Sequence, residues 1–486
     1  MKRSSKFEEI AATLRQELER YSPGEKLPSS RALVERFAVS PVTVSRALAA
    51  LTAEGLVITR PGAGAYRAQH SVIDTRAVDT SWQQFALTAE DQQHGEPAPR
   101  TVDASSVFAS LVPPPPGVIA FNGGYLHSSL QPQQALGAAF ARAARRPGAW
   151  DRPPLEGLTA LRSWFAREVG GPSGGVLPSQ VLITGGGQAA LTTALQALAP
   201  PGSPVLVESP TYPGVLAAAR AAGLRPVPVP MDNDGVRVDF LEDAFAATGA
   251  RVFYCQPLFH NPTGAVLAPD RRRRITQIAH AAGAFVIEDA FARRLGHGGQ
   301  LPPPLVADDA YGTVVHVSSL TKPASPNLRV GALVARGPVM ERLRAIQLVD
   351  SFFVPRPLQE AALELVGSPA WPRHLRAISS ALRERREAMI GALRRCLPGI
   401  AATVRAPAGG YHLWLRLPDG TDETALTAAL FRADVAVSPG RPCFAAEAPA
   451  PYIRLSFADI AGTDEITEGI HRIATVCADS GIATGD

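Results

Sequence analysis

The chain has 486 residues, 46% hydrophobic and 19% charged, a composition for roughly two to four folded domains that excludes a disordered or fibrous protein. No run approaches the ~18 to 20 apolar residues of a membrane span, the start Met-Lys-Arg-Ser-Ser-Lys has no apolar signal core, and Cys255, Cys396, Cys443 and Cys477 match no metal spacing; a cytoplasmic protein with reduced thiols and no metal is expected. The formal net charge is +4, and residues 1–68 alone hold 11 Lys+Arg against seven Asp+Glu, so the whole excess sits in a small N-terminal head suited to a polyanion.

In that head, Phe7, Ile10, Ala11, Leu14 and Leu18 recur at helical spacing. After the breaker Ser22-Pro-Gly-Glu, a second helix is predicted from Ser29 or Ser30 as cap. Ser40 then suits the cap of a third helix with Pro41 in its first turn. Residues 54–66, Glu-Gly-Leu-Val-Ile-Thr-Arg-Pro-Gly-Ala-Gly-Ala-Tyr, predict two short strands around a glycine-rich turn. Three helices followed by a hairpin make the plan of an α+β winged helix-turn-helix. Residues 69–117 lack periodicity and contain the prolines 113–116, which predicts a semi-rigid connection; Trp82 and Phe85 argue against full disorder.

Beyond residue 118, short apolar runs alternate with helical stretches, the pattern of an α/β domain with a mostly parallel sheet. The strand candidates are Val181-Leu-Ile-Thr, Val205-Leu-Val-Glu, Val252-Phe-Tyr-Cys, Phe285-Val-Ile-Glu, Val314-Val-His-Val and Ala332-Leu-Val-Ala. Ligands of such sheets gather at the carboxyl ends of strands, where the chemical residues fall. Thr184-Gly-Gly-Gly-Gln opens a helix and offers backbone N–H groups to an anion, although a tight turn explains it equally. Glu208-Ser-Pro-Thr-Tyr-Pro-Gly leaves Tyr212 available to stack on a flat ring. His260-Asn-Pro-Thr-Gly places Asn261 in a turn with its amide free. Glu288 and Asp289 end an apolar strand and call for a cationic partner. Arg454, in Tyr-Ile-Arg-Leu-Ser-Phe, suggests either a carboxylate ligand or a structural ion pair.

Only four residues are lysine, and after Lys26 the sole one is Lys322, in Ser-Ser-Leu-Thr-Lys-Pro-Ala-Ser-Pro-Asn-Leu-Arg. Arginine can replace lysine as a solvated charge but not as an amine nucleophile toward an aldehyde, so this lysine stands out in an arginine-rich chain.

Two resemblances follow. Residues 23–57 resemble the DNA-binding domain of GntR-type regulators. That resemblance implies a third helix in the major groove presenting Thr43, Ser45 and Arg46, with Arg31 near the start of the second helix and Arg60 and Gly62 on the wing. Many relatives carry arginine where Pro41 stands, so base preference does not transfer. The ordered series TGGGQ, ESPTYPG, HNPTG, IED, SSLTK…R and YIRLSF resembles class I aminotransferases of pyridoxal-phosphate fold type I. This implies a large, mostly parallel sheet domain, a smaller C-terminal α+β domain from about residue 365, and pyridoxal 5′-phosphate as cofactor.

By the same resemblance Lys322 would carry the cofactor as an imine, Asp289 would pair with the pyridine nitrogen, Asn261 would bond the ring oxygen and Tyr212 would stack. Gly186, Gly187, Gln188, Ser319 and Arg329 would hold the phosphate, and Arg454 would take an amino acid's carboxylate. Three departures stand out: Phe291 where relatives have tyrosine, a phosphate turn without hydroxyl residues at Gly185 and Gly187, and Arg152 where a tyrosine is common, with Trp150 nearby. Phe291 and the glycine turn remove neutral hydrogen bonds worth ~1 kcal/mol each, so cofactor binding is expected to survive and proton shuttling at the imine to be less efficient. The fusion, divided as 1–68, 69–117 and 118–486, resembles MocR-type transcription regulators. It implies a homodimer that binds double-stranded operator DNA and senses an amine, amino acid or the cofactor itself; an active aminotransferase with an accessory head is the alternative.

Overall fold

The computed structural model describes residues 6–22, 24–53, 56–60, 63–68, 103–109, 111–170 and 175–482. They fall into two compact units, Met1–Asp91 and Gln92–Asp486. No helix among the described residues is long and apolar enough to cross a membrane.

In the first unit, helix Lys6–Glu17 leads through a 3-10 turn, Leu18–Arg20, to helices Ser30–Phe37 and Pro41–Ala53 and the antiparallel strands Val57–Arg60 and Gly64–Arg67. Ser29, not Ser30, caps the second helix, accepting from the Ala32 N–H at 3.2 Å. Ala38, left-handed at φ 50°, ends that helix and turns the chain toward Ser40. The Thr43 N–H donates to the Ser40 carbonyl at 3.0 Å and also to the Ser40 hydroxyl at 3.3 Å, so Ser40 caps the helix. Ile10, Leu14, Leu33, Val44, Leu51 and Val57 form the core. Arg36 clasps Glu17 through two hydrogen bonds, one of 2.9 Å, tying the second helix to the first. The expected wing tip with Gly62, and Trp82 and Phe85, lie outside the described residues.

The second unit is built on an eight-stranded sheet in the order Val181–Thr184, Gly331–Val334, Val314–Ser319, Phe285–Asp289, Val252–Cys255, Pro204–Ser209, Arg225–Asp232, Gly235–Val236. All six strand candidates are in it. Neighbours from Val314–Ser319 through Arg225–Asp232 are parallel, whereas Gly331–Val334 runs antiparallel to both its neighbours. Side chains alternate across a strand, so both faces are apolar: Ile183, Leu206, Phe253, Val286 and Val314 enter one core, and Leu182, Val207, Tyr254, Ile287 and Val317 the other. Helices cover each face, which explains why these strands read as continuous apolar runs.

A smaller lobe contains the 27-residue helix Ala370–Cys396, helix Thr463–Asp479, and a sheet of His412–Arg416, Tyr452–Ser456 and Ser438–Pro439. Its core also takes Ile119, Phe121 and Leu126 from the start of the unit, where strand Ile119–Ala120 pairs in parallel with Val435–Ala436.

Candidate functional site: a cavity at the strand ends

A cavity of about 350 Å³ lies at the carboxyl ends of the central strands. Lys322 lines it, and its Nζ donates to the Gly124 carbonyl at 2.6 Å, 3.9 Å from the centre of the Tyr125 ring. The Tyr411 hydroxyl shares that carbonyl at 2.7 Å. Burial, followed by the nearby Arg454 and Arg329, brings the lysine down to about 7, against the opposing pull of Asp289. Desolvation removes the stabilisation that water gives an ammonium, so a sizeable share of Lys322 is a neutral amine at neutral pH.

Asp289 ends its strand on the cavity wall. One carboxylate oxygen accepts from the Tyr254 hydroxyl and the Gln256 amide, each at 2.8 Å, and the other from the Phe291 N–H at 3.1 Å. All three donors are neutral. Burial raises its pKa despite them. The cationic partner expected from sequence is therefore not in contact with Asp289. Its neighbour Glu288 points to the opposite face, where His316 Nδ1 meets it at 2.8 Å and the Leu305 and Val306 N–H groups donate to it at 2.7 and 3.2 Å. Burial opposes ionisation there too, but His316 and these donors hold the Glu288 pKa below its ordinary value.

The turn after Val181–Thr184 forms an anion cradle. Gly186, at φ 96°, precedes helix Gly187–Leu198, whose first N–H groups have no partner within the helix. A Cβ on Gly186 would press on the Arg329 guanidinium at 3.1 Å, and one on Gly331 would strike the Ser318 carbonyl at 2.7 Å. Arg329, itself left-handed at φ 46°, donates to the Gly185 carbonyl at 2.8 Å. The Ser319 hydroxyl accepts from the Thr321 N–H at 3.1 Å, while Thr321 Oγ1 is buried without a partner. The Gln188 side chain holds the Tyr212 hydroxyl at 3.1 Å and donates to the Gly214 carbonyl at 3.2 Å, so its backbone N–H is what remains for an anion. Burial and then Asp289 push the Tyr212 hydroxyl well above its ordinary pKa.

Arg454 is buried. It donates to Asn261 Oδ1 at 3.0 Å, to the Ser438 hydroxyl at 3.0 Å and to the Asn122 carbonyl at 3.5 Å, and its Nε has no partner. No carboxylate contacts it among the described residues, so the structural ion pair weighed from sequence does not form. The Asn261 amide is correspondingly not wholly free: its oxygen is engaged and its nitrogen remains as the available donor. Phe291 packs edge-on to Tyr411 with ring centres 6.4 Å apart.

The structure thus brings together Lys322, Asp289, Asn261, Tyr212, Gly187, Gln188, Ser319, Arg329 and Arg454 around one space. Sequence reasoning missed Tyr125, Tyr254, Gln256, Thr321, Tyr411 and His412. Thr321 had a signal, standing one residue before the singular lysine. It also missed Val107 and Leu111, which line the cavity from within the stretch read as a connection; Val107 belongs to the short helix Ser105–Ala109.

In the head, Arg31, Ser45, Arg46 and Arg60 are exposed and Thr43 half-buried. Arg31 lies 3.5 Å from Glu35. The Arg46 guanidinium lies over the Phe7 ring at 4.3 Å, and Arg60 over Tyr66 at 5.0 Å. Thr43 Oγ1 is 2.8 Å from the Ser40 hydroxyl.

Comparison with known proteins gives both units a family. Residues 6–66 match bacterial regulatory proteins of the gntR family, and residues 123–473 match aminotransferase class I and II. The uncharacterized HTH-type transcriptional regulator YisV of Bacillus subtilis is 30% identical over 429 residues, covering 86% of this chain and 85% of that protein. The 2-aminoadipate transaminase of Thermus thermophilus is 33% identical over 363 residues, covering 74% of this chain and 89% of its own length. The crystal structure of LysN, an alpha-aminoadipate aminotransferase from Thermus thermophilus complexed with N-(5′-phosphopyridoxyl)-L-leucine, superposes with a TM-score of 0.71 at 31% identity, covering 78% of this chain and 95% of that one.

The family's cofactor is pyridoxal 5′-phosphate, and the cavity fits it. Asp289 lacks a cation, the Gly186–Gln188 cradle and the unpartnered Thr321 hydroxyl lack an anion, and Lys322 supplies an amine between them. The chain belongs to the aminotransferase class I and II family and carries at its N-terminus a DNA-binding domain of the gntR family, the MocR-type combination.

Proposed function

We propose that this chain is a pyridoxal-phosphate-binding transcription regulator whose cavity senses an amino acid and adjusts operator binding by the head. The carrying observation is Arg454: a buried guanidinium with one unsatisfied nitrogen and, among the described residues, no acid partner lines the same cavity as the Lys322 amine. Such a site suits a ligand with both an amine and a carboxylate.

Bound pyridoxal phosphate supplies an electrophilic carbonyl for amines and a ring that accepts electron density. The residues around it then have distinct tasks. Lys322, brought down to about 7, would present a neutral amine to that carbonyl. Asp289 would pair with the pyridine nitrogen and keep it protonated, Asn261 would donate to the ring oxygen, and Tyr212, whose hydroxyl is fixed by Gln188, would stack on the ring. Gly186, Gly187, the Gln188 N–H, Ser319, Thr321 and Arg329 would hold the phosphate. Arg454 orients the ligand carboxylate. Phe291 offers no hydroxyl to the ring, which favours capture over rapid proton transfer. In the head, Thr43, Ser45 and Arg46 face the major groove, with Arg31, Arg60 and Gly62 toward the backbone.

The domains are read as 1–68, 69–117 and 118–486, with the small lobe from about residue 365, in a cytoplasmic homodimer. Two-fold pairing of heads matches a two-fold operator. A ligand shifts operator affinity only by favouring one conformation over another.

The likeness to a transaminase over most of the body favours a second reading, an active aminotransferase with an accessory head. Titrating amino acids, amines and keto acids into the purified full chain, with cofactor absorbance and operator affinity followed together, separates the readings. Joint changes without steady turnover support the regulator. Sustained turnover of donor and keto acid, with operator affinity unmoved, supports the enzyme. A response of operator affinity to pyridoxal phosphate alone makes the cofactor the signal.

A further inference from the structure

Strand Val314–Ser319 serves two spaces. Ser319 faces the cofactor cavity, and alternation turns His316 and Ser318 to the opposite side of the sheet. There a separate cleft of about 600 Å³ opens between that face, the Arg293–Leu301 segment and helix Ala370–Cys396. Two buried polar atoms in it have no partner. Arg294 has a side chain only 9% exposed, stacks on Trp164 at 5.1 Å and reaches the Ser318 hydroxyl at 3.4 Å, yet its Nε bonds to nothing. His316 is fully buried; its Nδ1 is spent on Glu288, and its Nε2 is unpaired.

The charge around these atoms is lopsided. Arg293, Arg376 and Arg383 line the same cleft, and neither Arg376 nor Arg383 has a hydrogen-bond or ion-pair partner among the described residues. Facing four guanidinium groups are Glu168, 3.6 Å from Arg294 and half-exposed, and Glu288, already satisfied by His316 and two backbone N–H groups. His297 adds no charge of its own: its Nδ1 lies 3.2 Å from Arg386 and its Nε2 2.9 Å from the Gly410 carbonyl, and burial brings it down to about 4. Gly298 and Gly299 also line the cleft and add no side chain to it. Buried polar groups are normally satisfied, and clustered arginines are a good match for an oxyanion.

We infer that this cleft is a second small-molecule site, selective for a compact oxyanion carrying two negative charges, either free phosphate or a phosphate monoester. Arg294 Nε donates from the floor, Arg376 and Arg383 close on the anion from the helix, and His316 Nε2 accepts a hydrogen bond from the hydroxyl of a hydrogen phosphate. The site is distinct from the cofactor's phosphate cradle, which lies across the sheet.

Calorimetric titration of inorganic phosphate into the cofactor-loaded full chain, in a phosphate-free chloride buffer, tests this. One saturable site per chain with unchanged cofactor absorbance is expected. Arg294→Met should weaken it by about tenfold or more, and Arg376→Ala with Arg383→Ala, both exposed and structurally idle, by roughly threefold to tenfold. Glycerol 3-phosphate and succinate form the parallel arms. Tighter binding of the monoester identifies a phosphorylated metabolite as the source, equal binding identifies free phosphate, and tighter binding of succinate overturns the assignment to phosphate chemistry. Absence of saturable phosphate binding, binding that displaces the cofactor, or binding unaffected by the helix double variant would overturn the site.

Discussion

The head and the body present their chemistry in opposite ways. In the head, Arg31, Ser45, Arg46 and Arg60 are exposed, so a partner can meet them without rearrangement and each contributes little alone. In the body the telling groups are hidden, and among the described residues Asp289 has no cation, Arg454 no anion and the Thr321 hydroxyl no hydrogen-bond partner. A buried deficit specifies its ligand more sharply than an exposed charge, because the unligated state is left with an unsatisfied group. Removing a body group should therefore act in large steps, and removing a head group in small ones.

The largest step is Lys322→Ala, which should abolish the long-wavelength absorbance of lysine-bound cofactor in purified protein while leaving binding to DNA intact. In the parent chain the rate of cofactor capture should rise with pH and reach half its plateau near pH 7, because the lysine is brought down to about 7 and only the neutral amine attacks. A midpoint near the ordinary lysine value would contradict the buried setting.

Asp289→Asn comes next. Loss of a buried charge partner costs ~2 to 5 kcal/mol, so cofactor affinity should fall roughly a hundredfold or more by equilibrium dialysis. Without cofactor the sign reverses. Asp289 has its folded pKa raised, so its ionisation costs stability as pH rises through that value, and the asparagine variant should lose this pH dependence. Glu288, held low, does the opposite: its stabilisation is present above 4.5 and lost as pH falls through its folded value. Glu288→Gln should cost about 3 kcal/mol in a denaturant titration of the cofactor-free chain.

Arg454→Ala should weaken amino acids by roughly tenfold to a hundredfold, the scale of a charge-assisted hydrogen bond, and leave amines without a carboxylate unchanged. Equal loss for both would show that Arg454 merely supports Asn261. The smallest effect belongs to Arg46→Ala: a few-fold loss of DNA affinity with the salt dependence reduced by about one unit and cofactor absorbance intact. Loss of that absorbance as well would break the division between the two units.

The sequence-legible parts share a local cause. The head's caps at Ser29 and Ser40 and the six body strands follow from capping and hydrophobic runs a few residues long. Lys322, Asp289 and Arg454 announced themselves as residue types out of place in their surroundings. What stayed hidden is non-local. Tyr254 and Gln256 reach Asp289 only because strands Val252–Cys255 and Phe285–Asp289 pair in register. Tyr411 meets Gly124 across 287 positions of chain, and Val107 stands in a stretch with no periodicity. The expectation of a free Asn261 amide holds for its nitrogen but not its oxygen, since the oxygen's partner Arg454 lies far along the chain.

Strand Ile119–Ala120 has one mechanical implication. It is hydrogen-bonded into the small lobe beside Val435–Ala436, so the lobe and the entry point of the body chain form a single tether. The lobe, built mainly from C-terminal residues, therefore does not close its core alone: a piece starting after Leu126 would lack Ile119, Phe121 and Leu126 from that core.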